Sequence, residues 1–422
     1  MIKAIIGGLL IDGTGKEPLR DPVIIIADKK IQQVGYAGKV DIPADAEVID
    51  AHGMTILPGL MDAHVHIALP FYPPETEWHV ASLRVDTPLA TLYAAKHVKD
   101  LLEAGFTTVR DLGNLQDYTN PVARSVKKAV DRGILTGSRI IYAGGVHMTG
   151  GHHDLGTPGV LRKPENVADG IWSVRKKVRE VVRSGADLIK ISASGGMAGE
   201  IEMPWWRNFT PEEIQAITDE SHALGKKVAA HVYTPDLIKH AIKGGVDSIE
   251  HGFPLDQEAI ALLVEKRIPL VPTLHVFSEW TISTMEGKVP EHQYKKITDA
   301  AKDCVDSFKK AVESGVKIAT GSDITLLAPP APQHGDNSYE IELMVRYGMS
   351  NMDAIVASTK NAAEVMGISD QLGTIERGKI ADLLIVDGNP LDNIKVLKNK
   401  ELIRLVIKEG QISVDRRRPK HH

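Results

Sequence analysis

An apolar segment near the start of the chain reads Leu57-Pro58-Gly59-Leu60-Met61-Asp62-Ala63-His64-Val65-His66 and ends in two histidines one residue apart. On a β-strand, residues i and i+2 point to the same face, so His64 and His66 would project side by side. Two imidazoles placed in this way suit a shared metal ion at about 2.0–2.1 Å. The alternative is a solvated or hydrogen-bonded histidine pair at a strand edge. The rest of the sequence is needed to distinguish this from a metal site.

The composition is that of an ordinary globular protein. The chain has 422 residues, of which 43% are hydrophobic and 25% charged, enough for a large domain and a smaller one. A net charge of −5 argues against nucleic acid as a partner. No apolar run approaches the roughly 20 residues of a membrane span, so no membrane partner is expected. The single cysteine, Cys304, excludes an intramolecular disulfide and fits a reducing compartment, so we expect a cytoplasmic protein.

Both ends of the chain contain short apolar runs separated by turn residues such as Asp12-Gly13 and Gly388-Asn389-Pro390. The simplest interpretation is one small β-sandwich domain built from residues 1–57 and 372–418, followed by a tail at 419–422. The alternative is two unrelated β extensions. The predicted strands are 4–11, 22–27, 30–36, 46–50, 373–375, 383–387, 403–408 and 411–414.

Between these ends, strand-like and helix-like patterns alternate over residues 58–371, which predicts an α/β fold, a closed parallel (β/α)8 TIM-like barrel. Helix start signals support the alternation: Thr210-Pro211-Glu212-Glu213 is a capping box, and Thr234-Pro235 and Ser350 open two further helices. Long insertions follow strands one, three, four and eight, on the face where barrel enzymes keep their chemistry. The predicted barrel strands are 59–66, 107–112, 139–144, 188–192, 228–231, 248–251, 270–275 and 318–323.

The predicted strand ends carry polar side chains that would converge at one mouth of the barrel. Lysine is a poor ligand while it is cationic, but burial lowers a lysine pKa. The neutral amine of Lys190 can take up carbon dioxide to form a carbamate, whose two oxygens can reach one metal each. This indicates a binuclear centre, with an ion pair between Lys190 and Asp323 as the alternative. The candidate metal ligands are His64, His66, Lys190, His231, His251 and Asp323.

With these residues the chain resembles the amidohydrolase superfamily over essentially its whole length. The matching features are the opening Pro-Gly-x-x-Asp-x-His-x-His, the strand-four lysine, the two later histidines and the strand-eight aspartate. Residues 378–383, Gly-Lys-Ile-Ala-Asp-Leu, match the return of the family into its small β domain. The resemblance implies two divalent metal ions, with Zn²⁺ favoured and Mn²⁺, Co²⁺ or Fe²⁺ left open. It also implies carboxylation of Lys190 by CO2. Because relatives are often homo-oligomers, we expect a homo-oligomer here.

The same resemblance implies a role for each ligand. His64, His66 and Asp323 would hold the more buried metal, and His231 and His251 would hold the other. The carboxylated lysine would bridge them, and a hydroxide shared by the metals would be the nucleophile. Asp323 would also be the catalytic residue that accepts the water proton and passes it to the leaving amine.

Three segments resemble a subgroup that comprises binuclear-zinc prolidases, Xaa-Arg/Lys carboxypeptidases and imidazolonepropionase-related enzymes. They are residues 149–152, 187–196, and 231–233 followed by 247–252. This likeness implies that His152 and Tyr233 bind the substrate. Packing in the core is the alternative for Tyr233, and His147 and His153 compete with His152 for the substrate role. Trp205 and Trp206 would wall an apolar substrate pocket, and Phe71, Tyr72 and Trp78 are weaker candidates of the same kind.

The predicted activity is hydrolysis of an amide bond in a small-molecule substrate, by a dipeptidase or carboxypeptidase acting on Xaa-Pro or similar, or by an N-acyl amino acid hydrolase. The alternative substrates are a cyclic amide, a carbamate or an amide-linked toxin. Superfamily deaminases usually carry a glutamate where Thr234 stands, so a deaminase is disfavoured. A barrel kept only as an assembly module is a third hypothesis. Histidines 79, 97, 222, 240 and 292 are expected to be solvated or capping residues.

Overall fold

The computed structural model describes residues 2–69, 85–113, 119–154, 167–324 and 330–417. The candidates Phe71, Tyr72 and Trp78 and the predicted tail at 419–422 lie outside these residues.

The described residues form β-strands at both ends of the chain and alternating strands and helices between them. The strands are β1 (Ile2–Ile6), β2 (Leu9–Leu10), β3 (Leu19–Arg20), β4 (Pro22–Ala27), β5 (Lys30–Tyr36), β6 (Glu47–Asp50), β7 (Thr55–Pro58), β8 (Leu60–Val65), β9 (Phe106–Asp111), β10 (Arg139–Val146), β11 (Leu188–Ser192), β12 (Val228–Val232), β13 (Ser248–His251), β14 (Leu270–Val271), β15 (Leu383–Val386), β16 (Ile403–Lys408) and β17 (Gln411–Asp415).

The α-helices are α1 (Thr87–Glu103), α2 (Pro121–Asp131), α3 (Ile171–Arg183), α4 (Pro211–Ala223), α5 (Pro235–Lys243), α6 (Gln257–Lys266), α7 (Glu279–Met285), α8 (Glu291–Glu313), α9 (Ser338–Arg346), α10 (Asn351–Val356) and α11 (Ala362–Met366). Short 3-10 helices cover Leu274–Phe277, Ile394–Lys398 and Lys400–Leu402, and a π-helical turn covers Ala357–Asn361. None of the helices in the described ranges is both long enough and apolar enough to pass through a bilayer.

The central architecture is α/β, with a nearly closed parallel sheet whose spatial order follows the sequence from β8 to β14. The helix start signals behave as predicted at α4, where the Thr210 hydroxyl accepts from the Glu213 amide and the Glu213 carboxylate accepts from the Thr210 amide. Ser350 caps α10 in the same way by accepting from the Asp353 amide. The parallel order brings the carboxyl ends of neighbouring strands to one face, which is where the candidate site lies.

The predicted eighth strand is not a regular strand. Residues 317–323 instead connect the two edges of the sheet, because residues 317 and 319 bond β14 and residues 320 and 323 bond β8. Ala319 donates to the Leu270 carbonyl at 3.0 Å, and Asp323 donates to the His64 carbonyl at 2.8 Å. Gly321 passes so close to β8 and β14 that an added Cβ would meet the side chains of Val271 and His64. The segment therefore joins the two edges of the sheet without forming a ladder.

The predicted seventh strand, 270–275, is also shorter than expected, since β14 ends at Val271. Thr273 takes a left-handed conformation with φ 52°, and a 3-10 helix begins at Leu274. The Glu340 carboxylate accepts hydrogen bonds from the backbone amides of Leu274 and His275, at 2.9 and 2.7 Å. A buried carboxylate from α9 thus satisfies backbone groups that a longer strand would have paired.

The terminal strands form two sheets. A four-stranded sheet has the order β5-β4-β1-β6, and a six-stranded sheet, β17-β16-β15-β7-β2-β3, combines strands from both chain ends. Both sheets contribute to one buried apolar cluster, with Ile5 and Ile24 from the first and Leu383 and Leu405 from the second. The two chain ends therefore share a core.

Two details of the terminal prediction were wrong. The predicted strand 4–11 is broken at Gly7 and Gly8, whose φ values of 76° and 82° turn the chain from one sheet into the other. Residues 373–375 form a turn with one backbone bond, from Ile375 to the Asp12 carbonyl, and no strand.

Candidate metal centre

The six candidate ligands lie at the carboxyl-terminal mouth of the barrel. The Oδ1 atom of Asp323 is 3.3 Å from His66 Nε2 and 3.6 Å from His64 Nε2. Ligand atoms of His64, His251 and Asp323 all lie within 4.8 Å of one another. The His231 ring centroid is 4.7 Å from that of His251, which connects the second pair of histidines to the first group. The strands thus bring into one place residues that are separated by up to 259 positions in the sequence.

Each of the four histidines has one ring nitrogen bonded to an oxygen of the protein. An outer bond to a carbonyl or carboxylate oxygen, which can only accept, selects the tautomer, and any such bond leaves the second nitrogen for a metal ion. The pairs are His64 Nδ1 with the Glu250 carboxylate at 2.9 Å, His66 Nδ1 with the Gly113 carbonyl at 2.7 Å, His231 Nε2 with the Gly195 carbonyl at 3.1 Å, and His251 Nδ1 with the Thr273 hydroxyl at 2.7 Å.

Burial determines the protonation of most of these rings. Loss of hydration holds the pKa of His64, His231 and His251 well below the usual value, so their rings are neutral, the form that binds metals. Burial acts in the same direction on His66, but its hydrogen bond to Asp323 and the charge of that carboxylate raise its pKa overall. Burial would raise the pKa of Asp323, yet the neighbouring His64 and His66 lower it, so this group is a carboxylate.

Lys190 is buried at the bottom of the same mouth. Loss of hydration lowers its pKa to about 8, against the opposing attraction of Glu250 and Asp323. Among the described residues, the salt bridges of Asp323 go to His64 and His66 and none goes to Lys190, so the alternative of a Lys190–Asp323 ion pair is not found. A pKa of about 8 leaves about a tenth of the amine neutral and nucleophilic at pH 7, far more than for an exposed lysine.

Unusual backbone conformations accumulate at the mouth. His251 and Asp323 have φ values of 67° and 46°, and Thr234 and Thr273 have 68° and 52°. A residue other than glycine in this left-handed region costs about 1–3 kcal/mol, and such residues cluster at functional sites. The backbone strain thus coincides with the convergence of polar side chains.

The two residues assigned to substrate lie beside the histidines. The His152 ring stacks on His231 with 4.4 Å between centroids, and its Nδ1 lies 2.8 Å from the Glu202 carboxylate. The Tyr233 ring is 4.9 Å from His231 and 5.3 Å from His251. Burial raises the pKa of the Tyr233 hydroxyl, which keeps it protonated and able to donate a hydrogen bond.

The other substrate candidates are His147, Trp205 and Trp206. His147 is 5% exposed and reaches the histidine cluster through His153, whose ring centroid is 4.7 Å away. Trp205 is 63% exposed and Trp206 is 41% exposed, so both side chains face outward to a large extent. A role for these tryptophans as the wall of a pocket stays a prediction.

Several buried polar residues near the site were given no role in the sequence analysis, although Asp62 is part of the opening motif. Asp62 accepts from the Ser322 hydroxyl at 2.6 Å and from the Asn337 side-chain amide at 2.7 Å. It thus connects β8 to residues 317–323. Burial raises the pKa of Asp62 to about 6. Glu250 bonds His64, and Glu202 bonds His152. Glu250 could have been noticed as the neighbour of His251, but partners as distant as Asp62 and Ser322 leave no local signal.

The expectation for His97 was wrong. Its ring is buried, its Nδ1 lies 2.8 Å from the Ile67 carbonyl, and its centroid is 4.6 Å from that of His334. Burial lowers the pKa of His97 to about 4. His97 therefore packs against Ile67 and His334, because it lies on the buried face of α1.

Residues 55–413 match the amidohydrolase family. The chain is 32% identical to ochratoxinase from Aspergillus niger, an alignment that covers 97% of this chain and 86% of the relative. It is also similar to the crystal structure of a Xaa-Pro dipeptidase with bound methionine in the active site, with 35% identity and a TM-score of 0.86 over 98% of this chain and 99% of that one. A prolidase complexed with N-methylphosphonate-L-proline is 31% identical with a TM-score of 0.88, over 99% and 100% of the two chains.

The chain belongs to the amidohydrolase family. It is accordingly a hydrolase that acts on carbon–nitrogen bonds, as its relatives are. The resemblance to amidohydrolases, inferred from the opening motif and the strand ends, is therefore confirmed for the family. Divalent metal centres are general in this family, and the donor set at the mouth fits one, because neutral imidazoles with one nitrogen already occupied stand beside a buried carboxylate.

Proposed function

We propose that this protein is a binuclear metal-dependent amide hydrolase whose substrate is a small molecule with a carboxylate next to the scissile bond, such as Xaa-Pro or an N-acyl amino acid. The observation that carries the proposal is the convergence of His64, His251 and Asp323 with the buried amine of Lys190. A single ion would have little use for a bridging lysine, whereas a carbamate on Lys190 offers one oxygen to each of two ions.

In this proposal His64, His66 and Asp323 would hold one ion, His231 and His251 would hold the other, and a carboxylated Lys190 would be the ligand shared by both. When bound, such a pair of ions would lower the pKa of a coordinated water toward neutrality, and Zn²⁺ is the first ion to test. The carboxylate of Asp323 would accept a proton from water and pass it to the leaving amine, which needs a carboxylate within hydrogen-bond reach of both. The low pKa of Asp323 keeps it ready to accept.

On the substrate side, His152 and Tyr233 are the groups that orient the amide. Both are neighbours of His231, so a substrate held by them lies over the centre. The protonated hydroxyl of Tyr233 donates to the scissile carbonyl or to the substrate carboxylate, and Glu202 holds His152 in its orientation. The likeness to a Xaa-Pro dipeptidase supports a substrate of this class.

A second candidate is hydrolysis of an amide-linked toxin or another non-peptide carbon–nitrogen bond. It is favoured by the likeness to ochratoxinase along 97% of the chain. The exposed Trp205 and Trp206, in the loop after β11, would then meet an aromatic part of the substrate. The two candidates share their metal centre and differ in what lies beyond the scissile bond.

A substrate panel separates these candidates. We expect the purified, metal-loaded protein to cleave members of a set of Xaa-Pro, Xaa-Arg and N-acyl amino acids, and to leave matched lactams, carbamates and carboxylate-free amides intact. Cleavage confined to carboxylate-free substrates would reject the roles of His152 and Tyr233. Full activity with a single ion per subunit would reject the binuclear centre.

The organisation of the chain is part of the proposal. We divide it into a barrel domain, 58–371, and a small β-sandwich domain from 1–57 and 372–418, supported by the apolar cluster shared by the two terminal sheets. From the resemblance to the family we expect a homo-oligomer. Size-exclusion chromatography with light scattering would measure its mass.

A further inference from the structure

A buried network lies beneath the candidate centre and connects three strands of the barrel. Arg110 of β9 donates to the Glu250 carboxylate at 2.7 Å, to the Ser248 hydroxyl at 3.1 Å and to the Ala63 carbonyl at 2.5 Å. Ser248 donates to the same Glu250 oxygen at 2.6 Å. The second carboxylate oxygen of Glu250 lies 2.9 Å from His64 Nδ1. The side chains of Arg110 and Glu250 are each at most 1% exposed.

We propose that Glu250 is a positioning residue that acts through His64, and that Arg110 and Ser248 hold Glu250 in place for this purpose. The proposal rests on the proposed metal centre. Because a carboxylate oxygen can only accept, His64 must carry its proton on Nδ1, which directs the Nε2 lone pair toward Asp323, 3.6 Å away. The negative charge behind the ring also makes Nε2 a stronger donor to a metal ion.

The geometry distinguishes this role from that of a simple counter-ion. Arg110 and Ser248 both bond to one oxygen of Glu250, and the other oxygen is the one that meets His64. A counter-ion for Arg110 alone would need no contact with His64. The two oxygens therefore have separate partners, and the carboxylate stands between a fixed cation and a candidate ligand.

The chain offers a matched control. Glu220 on α4 also binds arginines, with Arg179 at 2.6 Å and Arg175 at 3.2 Å, but this pairing joins outer helices and includes no histidine. Glu220→Gln thus breaks a carboxylate–arginine contact without touching the barrel mouth, and we expect it to leave metal binding unchanged.

The test compares Glu250→Gln, the double variant Arg110→Met with Glu250→Gln, and Glu220→Gln. Zn²⁺ affinity is measured by competition with a chelator, and folding by circular dichroism and thermal melting. We expect both Glu250 variants to bind one of two ions about 10- to 100-fold more weakly, the usual effect of losing an outer carboxylate. The double variant leaves no buried arginine without a counter-charge. Its metal affinity can therefore be measured even if the single variant does not fold.

A second measurement needs no metal. In metal-free protein with ¹⁵N-labelled histidine, we expect wild-type His64 to show a proton on Nδ1, and the double variant to lose that preference. Wild-type metal affinity in the folded double variant would overturn the proposal and leave Glu250 as a counter-ion of Arg110. If the wild-type protein binds no divalent ion, the proposed function fails. The position of the proton on His64 would still show, separately, whether Glu250 orients this ring.

Discussion

Lys190 shows how strongly the chemistry of one residue depends on its place in the fold. A lysine on the surface is a cation with no use as a metal ligand, whereas burial at the barrel mouth lowers the pKa of this one to about 8. Its neighbours Glu250 and Asp323 oppose that shift, so loss of hydration is the larger effect. Reactivity toward carbon dioxide is thus a property of the position.

The variant Lys190→Ala is expected to lose hydrolysis of every substrate and to fall from about two bound ions per subunit to about one, because the bridging ligand is gone. Metal analysis and kcat/KM measure the two effects. Lys227→Ala is the matched control, since Lys227 is also partly buried with a lowered pKa but bonds the Glu364 carbonyl. A Lys190→Ala protein that retains both ions would contradict the bridging role.

Tyr233 allows a prediction about substrate orientation. Tyr233→Phe removes one hydroxyl and keeps the ring contacts with His231 and His251, so metal content should not change. We expect kcat/KM for carboxylate-bearing amides to fall about 10²- to 10³-fold, the usual effect of losing one donor at a developing charge. The control is Tyr142→Phe, whose hydroxyl bonds the Ser184 carbonyl far from the mouth. Equal activity of both variants would remove Tyr233 from the mechanism.

At the scale of elements, closure of the barrel depends on a segment without regular strand structure. Residues 317–323 bond β14 on one side and β8 on the other, and they end at Asp323. Asp62, Ser322 and Asn337 reinforce the junction with buried hydrogen bonds. The same segment therefore completes the barrel and places a candidate ligand, so its packing should affect both stability and metal binding.

The glycine at 321 makes this testable. Gly321→Ala would put a Cβ against Val271 and His64, and overpacking of this kind costs about 1–3 kcal/mol of unfolding free energy. We expect weaker metal binding as well, because His64 must move. In the control Gly133→Ala, the new Cβ meets open space and only the backbone with φ 69° is strained. Denaturant unfolding would measure the loss of stability, and chelator competition would measure metal affinity. Unchanged metal affinity in Gly321→Ala would show that the packing of residues 317–323 does not affect the metal centre.

At the scale of the whole molecule, an ionic cluster links the barrel to the terminal sheets. Arg139 of β10 donates to Asp382 at 2.6 Å and to Glu409 at 3.0 Å, and Lys29 donates to Glu409 at 2.6 Å. Burial would raise the pKa of Glu409, but the bond from Lys29 and the charge of Arg139 lower it overall. Residues from both chain ends and from the barrel thus meet at one point.

This cluster predicts a pH dependence. Because the folded pKa of Glu409 lies below its ordinary 4.5, its stabilisation is present above that value and is lost as the pH falls through the lowered one. The free energy of unfolding of the wild type should exceed that of Glu409→Gln by about 1 kcal/mol at neutral pH, and the difference should close as the pH falls below 4.5. Denaturant titrations across this range measure it, with the exposed Glu17→Gln as control. A gap that persists at the acid end would show that the cluster does not act through charge.

The local pattern was sufficient for most elements and for the family. The alternation of apolar runs with capped helices predicted β8 to β13 nearly residue by residue, because burial of each strand and each helix start leaves a signal within a few positions. It failed at 270–275 and 318–323, where Glu340 and the edges of β8 and β14 compete for the backbone hydrogen bonds.

The sequence alone indicated which side chains are candidate metal ligands, since the types and spacing of His64, His66 and the later strand ends are local facts. Only the tertiary structure decided which nitrogen of each ring is engaged, that Glu250 stands between Arg110 and His64, and that Lys190 is buried without an ion pair to Asp323 among the described residues. These properties depend on hydration and on contacts between distant strands, and neither is encoded in the spacing of neighbouring residues.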